Sequence, residues 1–203
     1  MLYKGKGKVD DPNAYRGIAL ECALFKIMTK ILTERLTDLT DHHKPGQQFG
    51  FRRGRSTLHA VRCLKQDIEE ALRLPWRMLH VIFIDSSKAF DTIIRKQLVT
   101  KLEHLLGKEH YLTAIVRDIF ARNEITIQDG ISKSGRIFQK VGVLQGDPLS
   151  PLLFSIATAD VTQILEGAAN MHMYADNMGL SHVKHIKTTS TGSQNGQVRT
   201  TYN

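Results

Sequence analysis

The stretch MLHVIFID, residues 78–85, is the segment from which the fold can be worked out. It is a short apolar run rich in β-branched residues and it ends on a carboxylate, Asp85, which is typical of a buried strand. Helical patterns follow over roughly 88–106 and 109–121. NEITIQD and RIFQKVGV then flank the turn GISKSG, a pattern that predicts a β-hairpin.

A second hairpin is predicted in MHMYADNMGLSHV, residues 171–183. The order strand, helices, hairpin, helix, hairpin is compatible with a split βαβ sheet covered by helices on one face. In such a sheet Asp85 lies at the end of the central strand and Asp176 at the hairpin tip, so we expect the two to be neighbours. Two interpretations of Asp176 are open: half of a metal site, or an ordinary turn aspartate.

Further helices are predicted on both sides of this region. Apolar residues from Leu20 to about Leu39 fall at three-to-four spacing, and Ser56 is a good N-cap for a second helix. The expected inner face of that second helix is Leu58, Val61, Leu64, Ile68 and Leu72. Ser150 and Pro151 open a helix that we expect to continue through SPLLFSIATADVTQILEGA. Beyond Lys187 the sequence is polar and acid-free, and we expect disorder there.

Charge and composition restrict the class of protein. The chain has 203 residues, enough for one domain or two small lobes, and carries a net charge of +8. Residues 44–66 contain six Lys or Arg residues and no acid. This excess is explained either by solubility or by a polyanionic partner such as nucleic acid. Neither a signal peptide nor a membrane span is recognisable, and Cys22 and Cys63 are expected to be buried thiols, which together predict an intracellular protein of the nucleus or cytoplasm.

Four stretches in a fixed order carry a family resemblance. They are GQQFGFRRGRST, VIFIDSSKAFDTI, GVLQGDPLSPLLFSI and YADN. Together they resemble the fingers and palm of reverse transcriptases, and the opening YKGKGKVDDPNAYRGIAL resembles the domain of non-LTR (LINE-type) retrotransposons. Group II intron reverse transcriptases share several motifs but fit this opening less well.

The resemblance, which covers about residues 2–183, implies an α+β chain with the right-hand polymerase fold. Fingers are expected at 1–75, a ferredoxin-like palm at 76–183 and a divergent tail at 184–203, with the thumb missing. The implied activity is that of an RNA-directed DNA polymerase acting on an RNA template, a DNA primer and deoxynucleoside triphosphates. No membrane partner is implied, and the oligomeric state is left open.

The resemblance also implies a two-metal site. Nucleotidyl transfer uses two divalent ions, Mg²⁺ with Mn²⁺ as the alternative, and such hard cations prefer carboxylate oxygens. Asp85 and Asp176 are the implied catalytic and metal-binding carboxylates, and Asn177 supplies an amide oxygen. The implied nucleotide-binding residues are Arg52, Phe90, Gln145, Gly146 and Arg16. Lys4, Lys6, Lys8, Arg53 and Arg55 are the expected template contacts, with a solvated surface as the alternative for each. No role is expected for Asp147.

Two departures from the family pattern predict impairment. The usual motif is Tyr-Ala-Asp-Asp, whereas this chain has Asn177 in the last position. Nothing after Lys187 resembles the elements that lead into a thumb, which predicts a truncated or decayed copy. The leading hypothesis is an impaired polymerase domain, and its alternative is a non-catalytic nucleic-acid-binding remnant. A third possibility is a nonfunctional translation product that folds poorly.

Overall fold

A computed structural model of the chain describes residues 2–74, 77–129 and 132–185. The chain divides into two compact units that alternate along the sequence. The first, here called the helical unit, comprises residues up to 45 and 87–159. The second, the sheet unit, comprises residues 46–86 and those from 160 onward. The disorder predicted beyond Lys187 lies outside the described residues.

The elements follow one another in a mixed order. In sequence they are β1 (Leu2–Tyr3), β2 (Tyr15–Arg16), α1 (Ala23–Thr40), α2 (Thr57–Leu72), β3 (Arg77–Asp85), α3 (Arg95–Leu106), α4 (Tyr111–Ala121), β4 (Glu124–Ile125), β5 (Gln128–Asp129), β6 (Ser132–Lys133), β7 (Ile137–Phe138), α5 (Ser150–Ala157), α6 (Val161–Ile164), β8 (Asn170–Tyr174) and β9 (Asn177–His185). None of the helices in the described ranges is both long and apolar enough to cross a membrane.

The hydrophobic core of the helical unit is built by α1, α3, α4 and α5. Its fully buried members are Leu36, Leu98, Leu102, Leu112, Val116 and Leu149. Helix α1 therefore forms where its apolar spacing predicts, but the spacing does not predict which residues are covered. Leu32 and Leu36 near its end are buried, whereas Leu24 in its first turn is 79% exposed. Cys22 immediately precedes this helix and is exposed, so the expectation of a buried thiol was wrong there.

Two predicted helices are shorter than expected. Helix α3 begins at Arg95 rather than near 88, because Lys88 has a positive φ of 54° and its carbonyl closes turns with Asp91 and Thr92. Helix α5 ends at Ala157, where the Thr158 hydroxyl donates to the Phe154 carbonyl at 3.0 Å and gives that carbonyl a side-chain partner. The short helix α6 follows as a separate element.

A buried arginine ties α3 to the loop after β7. Arg95 donates from Nε to the Gly142 carbonyl at 2.7 Å and from Nη1 to the Gln139 carbonyl. Its guanidinium also lies over the Phe120 ring at 4.7 Å. The loop so held leads directly into the Gln145–Gly146 turn, one of the predicted nucleotide-binding segments.

The sheet unit contains a three-stranded antiparallel sheet in the order β3-β9-β8. The register runs from Arg77 opposite His185 to Asp85 opposite Asn177. Strand β9 is thus the central strand. Strand β3, which was expected to be central and buried, lies at the edge of the sheet as described, and its Phe83 is 73% exposed. The predicted hairpin is confirmed as β8 and β9, joined at Ala175 and Asp176.

Helix α2 packs on this sheet through a face that includes one carboxylate, Asp67. Ser56 is its N-cap, as predicted, and a capping box joins Ser56 to His59. The expected apolar inner face was largely wrong, because Leu58 and Leu72 are 63% and 74% exposed. The helix instead turns Ala71, which is buried, and Asp67, which hydrogen-bonds to both hairpin strands, toward the sheet.

Candidate functional site

The end of β3 and the tip of the β8–β9 hairpin come together in the sheet unit. Asp85 is the last residue of β3 and is paired with Asn177, the first residue of β9. The Cα atoms of directly opposed residues in an antiparallel pair lie about 4.5–5.5 Å apart. The backbone N–H of Ser86 donates to the carbonyl of Asp176 at 3.3 Å. Asp85, Asp176 and Asn177 therefore lie together at one end of the sheet.

The hairpin tip is a two-residue turn. Tyr174 pairs with Asn177, so Ala175 and Asp176 form the loop between the strands. Ala175 has a φ of 57°, the left-handed conformation that two-residue hairpin turns require and that alanine adopts only with strain. The Asn177 amide donates to the Asp176 carboxylate at 3.4 Å. This turn places Asp176 one residue from the partner of Asp85.

The side chain of Gln48 stabilises the strained turn through hydrogen bonds. Its Oε1 accepts the Ala175 N–H at 3.2 Å and its Nε2 donates to the Ala175 carbonyl at 3.3 Å. The same Oε1 accepts the Gly50 N–H at 2.8 Å. Gln48 is 2% exposed, so these bonds are shielded from competing water. The sequence carries no local signal for this role, because Gln48 and Ala175 are 127 positions apart.

The segment around Gln48 also lies beside β8 as a short parallel bridge. The Phe49 N–H donates to the Met173 carbonyl at 2.8 Å, and the Met173 N–H donates to the Gln47 carbonyl at 2.8 Å. Gly50 approaches so closely that a Cβ there would lie 2.3 Å from the Ala175 nitrogen. Only glycine fits this position while the turn keeps its place.

A second polar cluster holds the two hairpin strands to α2. The Asp67 carboxylate accepts from His172 Nε2 of β8 at 2.8 Å and from the Ser181 hydroxyl of β9. Burial raises the pKa of Asp67, but hydrogen bonds from Ser181, His172 and Asn170 outweigh it and leave the pKa below its ordinary value. None of these residues was singled out from the sequence, since the cluster forms only when helix and hairpin meet.

The donor set at the hairpin tip fits a hard divalent cation. Asp85 and Asp176 offer carboxylate oxygens and Asn177 an amide oxygen, the ligand types that Mg²⁺ and Mn²⁺ prefer. In the part of the chain that the structure describes, no group of three or more His, Cys, Asp and Glu side chains is placed to hold a metal ion. A cation here would depend on two carboxylates, with substrate oxygens needed to complete its coordination.

Four predicted nucleotide-binding residues lie in the helical unit. Phe90 stacks on Phe154 with ring centroids 4.8 Å apart and packs against the core. The Gln145 carbonyl accepts the Ala19 N–H at 2.8 Å, and Gly146, with a φ of 114°, lies against the Ala19 carbonyl. The structure thus brings the Gln145–Gly146 turn beside the segment that follows Arg16, which is exposed at the end of β2.

The predicted template contacts are divided between the units. Lys4, Lys6 and Lys8 lie in the exposed start of the helical unit, where the Lys4 ammonium donates to the Asn13 carbonyl at 2.8 Å. Arg53 and Arg55 lie in the loop before α2 in the sheet unit, and so does Arg52, the fifth predicted nucleotide-binding residue. Arg53 is exposed, whereas the Arg55 guanidinium lies over the Phe49 ring at 5.1 Å and donates to the Gly46 carbonyl.

Two carboxyl groups of the helical unit were not predicted to matter. Asp147 is buried and its Oδ1 accepts the Leu149 N–H at 2.8 Å, just before α5 begins. Both carboxylate oxygens of Glu21 are buried without a hydrogen-bond partner. Burial and the nearby Asp147 charge raise the pKa of Glu21, against a smaller opposing effect of Lys26. For Asp147, the available sequence signal was its position immediately before a proline, Pro148.

Comparison with known proteins supplies the context for this geometry. Residues 4–192 match the family model described as reverse transcriptase (RNA-dependent DNA polymerase). A probable RNA-directed DNA polymerase from transposon BS of Drosophila melanogaster is 30% identical over 79% of this chain and 18% of its own length. A retrovirus-related Pol polyprotein from a type-1 retrotransposable element R2 of Popillia japonica is 33% identical over 73% of this chain and 20% of its own length.

A solved structure supports the fold. Telomerase from Candida tropicalis, in complex with a fragment of telomeric RNA, superposes with a TM-score of 0.56 at 14% identity. The match covers 78% of this chain and 28% of the telomerase chain. The chain spans about a fifth of the length of the curated relatives quoted above.

Proposed function

Because this chain belongs to the reverse transcriptase family, we propose that it supports template-directed addition of deoxynucleotides to a primer. The proposed site is the end of the sheet where Asp85 and Asp176 lie. Its ancestry is that of an RNA-directed DNA polymerase domain of a retrotransposon. The observation that carries the proposal is the pairing of Asp85 with Asn177. It brings the carboxylates of Asp85 and Asp176, from distant parts of the chain, to one end of the sheet.

Asp85 and Asp176 are the proposed ligands of the divalent metal on which this family depends. When bound, two Mg²⁺ ions, or Mn²⁺ in their place, activate the primer hydroxyl and neutralise charge on the triphosphate. The two carboxylates would hold the ions and, through the rigid turn that carries Asp176, fix where the triphosphate lies. Asn177 would contribute an oxygen without negative charge, which predicts weaker metal binding than an acid pair gives.

The remaining substrate contacts are proposed by residue. Arg52 and Arg16 would bind triphosphate oxygens, for which the guanidinium group offers paired donors. Phe90 would lie under the sugar, and Gln145 and Gly146 would line the pocket near the template base. Lys4, Lys6, Lys8, Arg53 and Arg55 would bind the template backbone. Within this proposal residues 1–75 act as fingers and 76–183 as palm, on an RNA template and a DNA primer inside the cell.

A second candidate function is a nucleic-acid-binding remnant without turnover. Asn177 favours it, because the site has one acid fewer than the family motif. The two candidates assign different importance to Asp85. In the polymerase candidate, removal of Asp85 abolishes polymerisation. In the remnant candidate, the function is binding of the phosphate backbone, and removal of Asp85 leaves that binding in place.

Primer extension on an RNA template, with and without Mg²⁺, separates them. The polymerase proposal expects Mg²⁺-dependent extension that Asp85→Ala abolishes and that Asp38→Ala, an exposed carboxylate on α1, leaves unchanged. Extension at background level in both the parent chain and Asp85→Ala would end the polymerase proposal for this chain and support the remnant, provided that an RNA–DNA hybrid still binds in a salt-dependent manner.

A further inference from the structure

A groove of about 840 Å³ runs along α2 in the sheet unit. Its lining residues all come from the segment between Phe49 and Arg73, that is, the loop before α2 and one side of the helix. On the helix they recur at three-to-four spacing. The principal ones are Arg55, His59, Arg62, Gln66, Glu69 and Arg73. Such a spacing makes a continuous stripe rather than scattered surface positions.

The stripe flanks the sheet and does not lie beneath it. Asp67 points to the hairpin through its bonds to His172 and Ser181, and Gln66, which lines the groove, is its immediate neighbour in sequence. Consecutive residues of an α-helix are rotated by about 100° around its axis. The groove is therefore centred about a quarter-turn from the direction in which Asp67 points.

The charge of the groove is positive and incompletely neutralised. Four lining residues are cationic, Arg55, Arg62, Lys65 and Arg73, against the two carboxylates Glu69 and Glu70. Lys65 pairs with Glu69 at 3.5 Å, and Glu70 accepts a hydrogen bond from Gln66 at 3.0 Å.

Arg62 and Arg73 stand apart from these pairs. Both are exposed, and neither guanidinium has a hydrogen bond or ion pair within residues 2–74, 77–129 and 132–185. Each therefore has its full set of donors available for an anion. They are 11 residues apart, which is about 17 Å along a helix.

One end of the groove adjoins the catalytic hairpin. Phe49 lines the groove, and its backbone N–H donates to the carbonyl of Met173 in β8, three residues before Asp176. From there the stripe runs away along α2 to Arg73. The groove therefore leads from the proposed metal site outward along α2.

We propose that this groove binds the phosphate backbone of a single RNA strand, with Arg62 and Arg73 as phosphate contacts. A separation of about 17 Å corresponds to about five nucleotides at the 3.4 Å rise of a stacked strand. Guanidinium groups match phosphate oxygens with paired donors, which favours a phosphate backbone over the single carboxylates of an acidic peptide. The choice of RNA among polyanions rests on the proposed function, whereas the groove and its charge do not.

The test is binding of a short fluorescent oligouridine in EDTA, over a series of salt concentrations, by fluorescence anisotropy. Arg62→Gln/Arg73→Gln is compared with Lys30→Gln/Arg122→Gln, which removes the same charge from exposed positions of the helical unit. Loss of two phosphate contacts lowers the slope of log Kobs against log[salt] by about 1.4, or about 25-fold in affinity at 0.1 M salt relative to 1 M. The control pair should change neither the slope nor the affinity appreciably.

Several outcomes would overturn the proposal. Equal losses in the two double variants would reduce the effect to net charge. Unchanged binding by Arg62→Gln/Arg73→Gln would remove the groove from RNA binding altogether. Binding of poly-glutamate with the same arginine dependence would assign the groove to acidic peptides instead. Circular dichroism melts show whether each variant is folded. Asp85→Ala separates this inference from the proposed function, because it should abolish extension and leave oligouridine binding in EDTA intact.

Discussion

Gln48 brackets the backbone of Ala175 with two hydrogen bonds, one to its N–H at 3.2 Å and one from the Gln48 amide to its carbonyl at 3.3 Å. A side-chain amide carries both an acceptor oxygen and an N–H donor, so it can satisfy the N–H and the carbonyl of the same residue. The strained turn that presents Asp176 is thus held by a residue from before α2. The geometry of the candidate metal site depends on that support.

Gln48→Ala should destabilise the sheet unit and loosen the hairpin tip. The substitution leaves the buried N–H and carbonyl of Ala175 without side-chain partners, at a cost of about 1–3 kcal/mol. Urea denaturation measures the loss. Gln97→Ala, at an exposed position of α3, is the matched control and should change stability by less than about 0.5 kcal/mol. Equal effects of the two substitutions would show that the hydrogen bonds between Gln48 and Ala175 contribute nothing to stability.

Gly50→Ala should be more disruptive than its size suggests. The new methyl would lie 2.3 Å from the nitrogen of Ala175, so either Gly50 or the turn must move, at a cost of about 1–3 kcal/mol. Gly46→Ala is the control, because a Cβ at Gly46 has no heavy atom within 4 Å. Thermal melting compares the two. A Gly50→Ala melting temperature as high as that of Gly46→Ala would contradict the close approach.

Asn177→Asp should strengthen binding of Mg²⁺. A further negative charge about 4 Å from a bound divalent cation contributes about 2 kcal/mol even at the dielectric constant of water, which is about 30-fold in affinity. Isothermal titration with Mg²⁺ measures the change. Gln97→Glu adds the same charge at an exposed site on α3 and should leave the affinity unaltered. An unchanged titration for Asn177→Asp would remove Asn177 from the metal site.

Asp67→Asn should weaken the chain at neutral pH and reduce its sensitivity to acid. The folded-state pKa of Asp67 is lowered, so its carboxylate contributes stability above the ordinary value of 3.8 and loses it as the pH falls through the folded-state pKa. Removing the charge costs about 1.5–3 kcal/mol at pH 7, the worth of hydrogen bonds to a charged group. The difference from the parent chain should shrink below pH 3.8 in denaturation curves.

The exposed Asp38 supplies the control for this prediction. Asp38→Asn removes the same charge from α1 and should leave both the stability at pH 7 and its acid dependence close to those of the parent chain. A constant difference between Asp67→Asn and the parent at all pH values would show that the carboxylate charge is not what holds the hairpin strands to α2.

Glu21→Gln should stabilise the helical unit at neutral pH. The pKa of Glu21 is raised, so its contribution to stability is greatest below the ordinary value of 4.5 and is lost as the pH rises through the folded-state pKa. Glutamine removes a negative charge that burial and then the nearby Asp147 disfavour, a gain below about 1 kcal/mol after solvent screening. Thermal melts at pH 7 and pH 4 measure it. Glu109→Gln, which is exposed, should show no gain at pH 7.

Local patterns predicted most elements of this fold. Helices α1, α2 and α4, strand β3 and the β8–β9 hairpin were confirmed with small shifts in their ends. The reverse transcriptase resemblance was confirmed by the family match, and the right-hand polymerase fold by the telomerase structure. The errors arise where backbone conformation overrides periodicity, as at Lys88, whose positive φ delays α3 to Arg95.

The site was predictable only in its functional part. Asp85 and Asp176 were expected to be neighbours because the element order implies it, and their roles as metal ligands stay predictions. Gln48 and Gly50 lie in the quoted stretch GQQFGFRRGRST, but their roles, like that of Asp67, had no local signal, since each acts on a residue more than a hundred positions away. Residues that position a site are recognised by what they touch in the folded chain, and a single sequence does not contain that list.

The bond between Gln48 and Ala175 also sets an order of events during synthesis. The 127 positions between them take on the order of ten seconds to translate at typical rates. Throughout that interval the nascent Gln48 amide has no turn to hold. The hydrogen bonds from Gln48 to the turn therefore form only after the hairpin has been synthesised, and a ribosome that stalls before that point leaves the proposed metal site without Asp176.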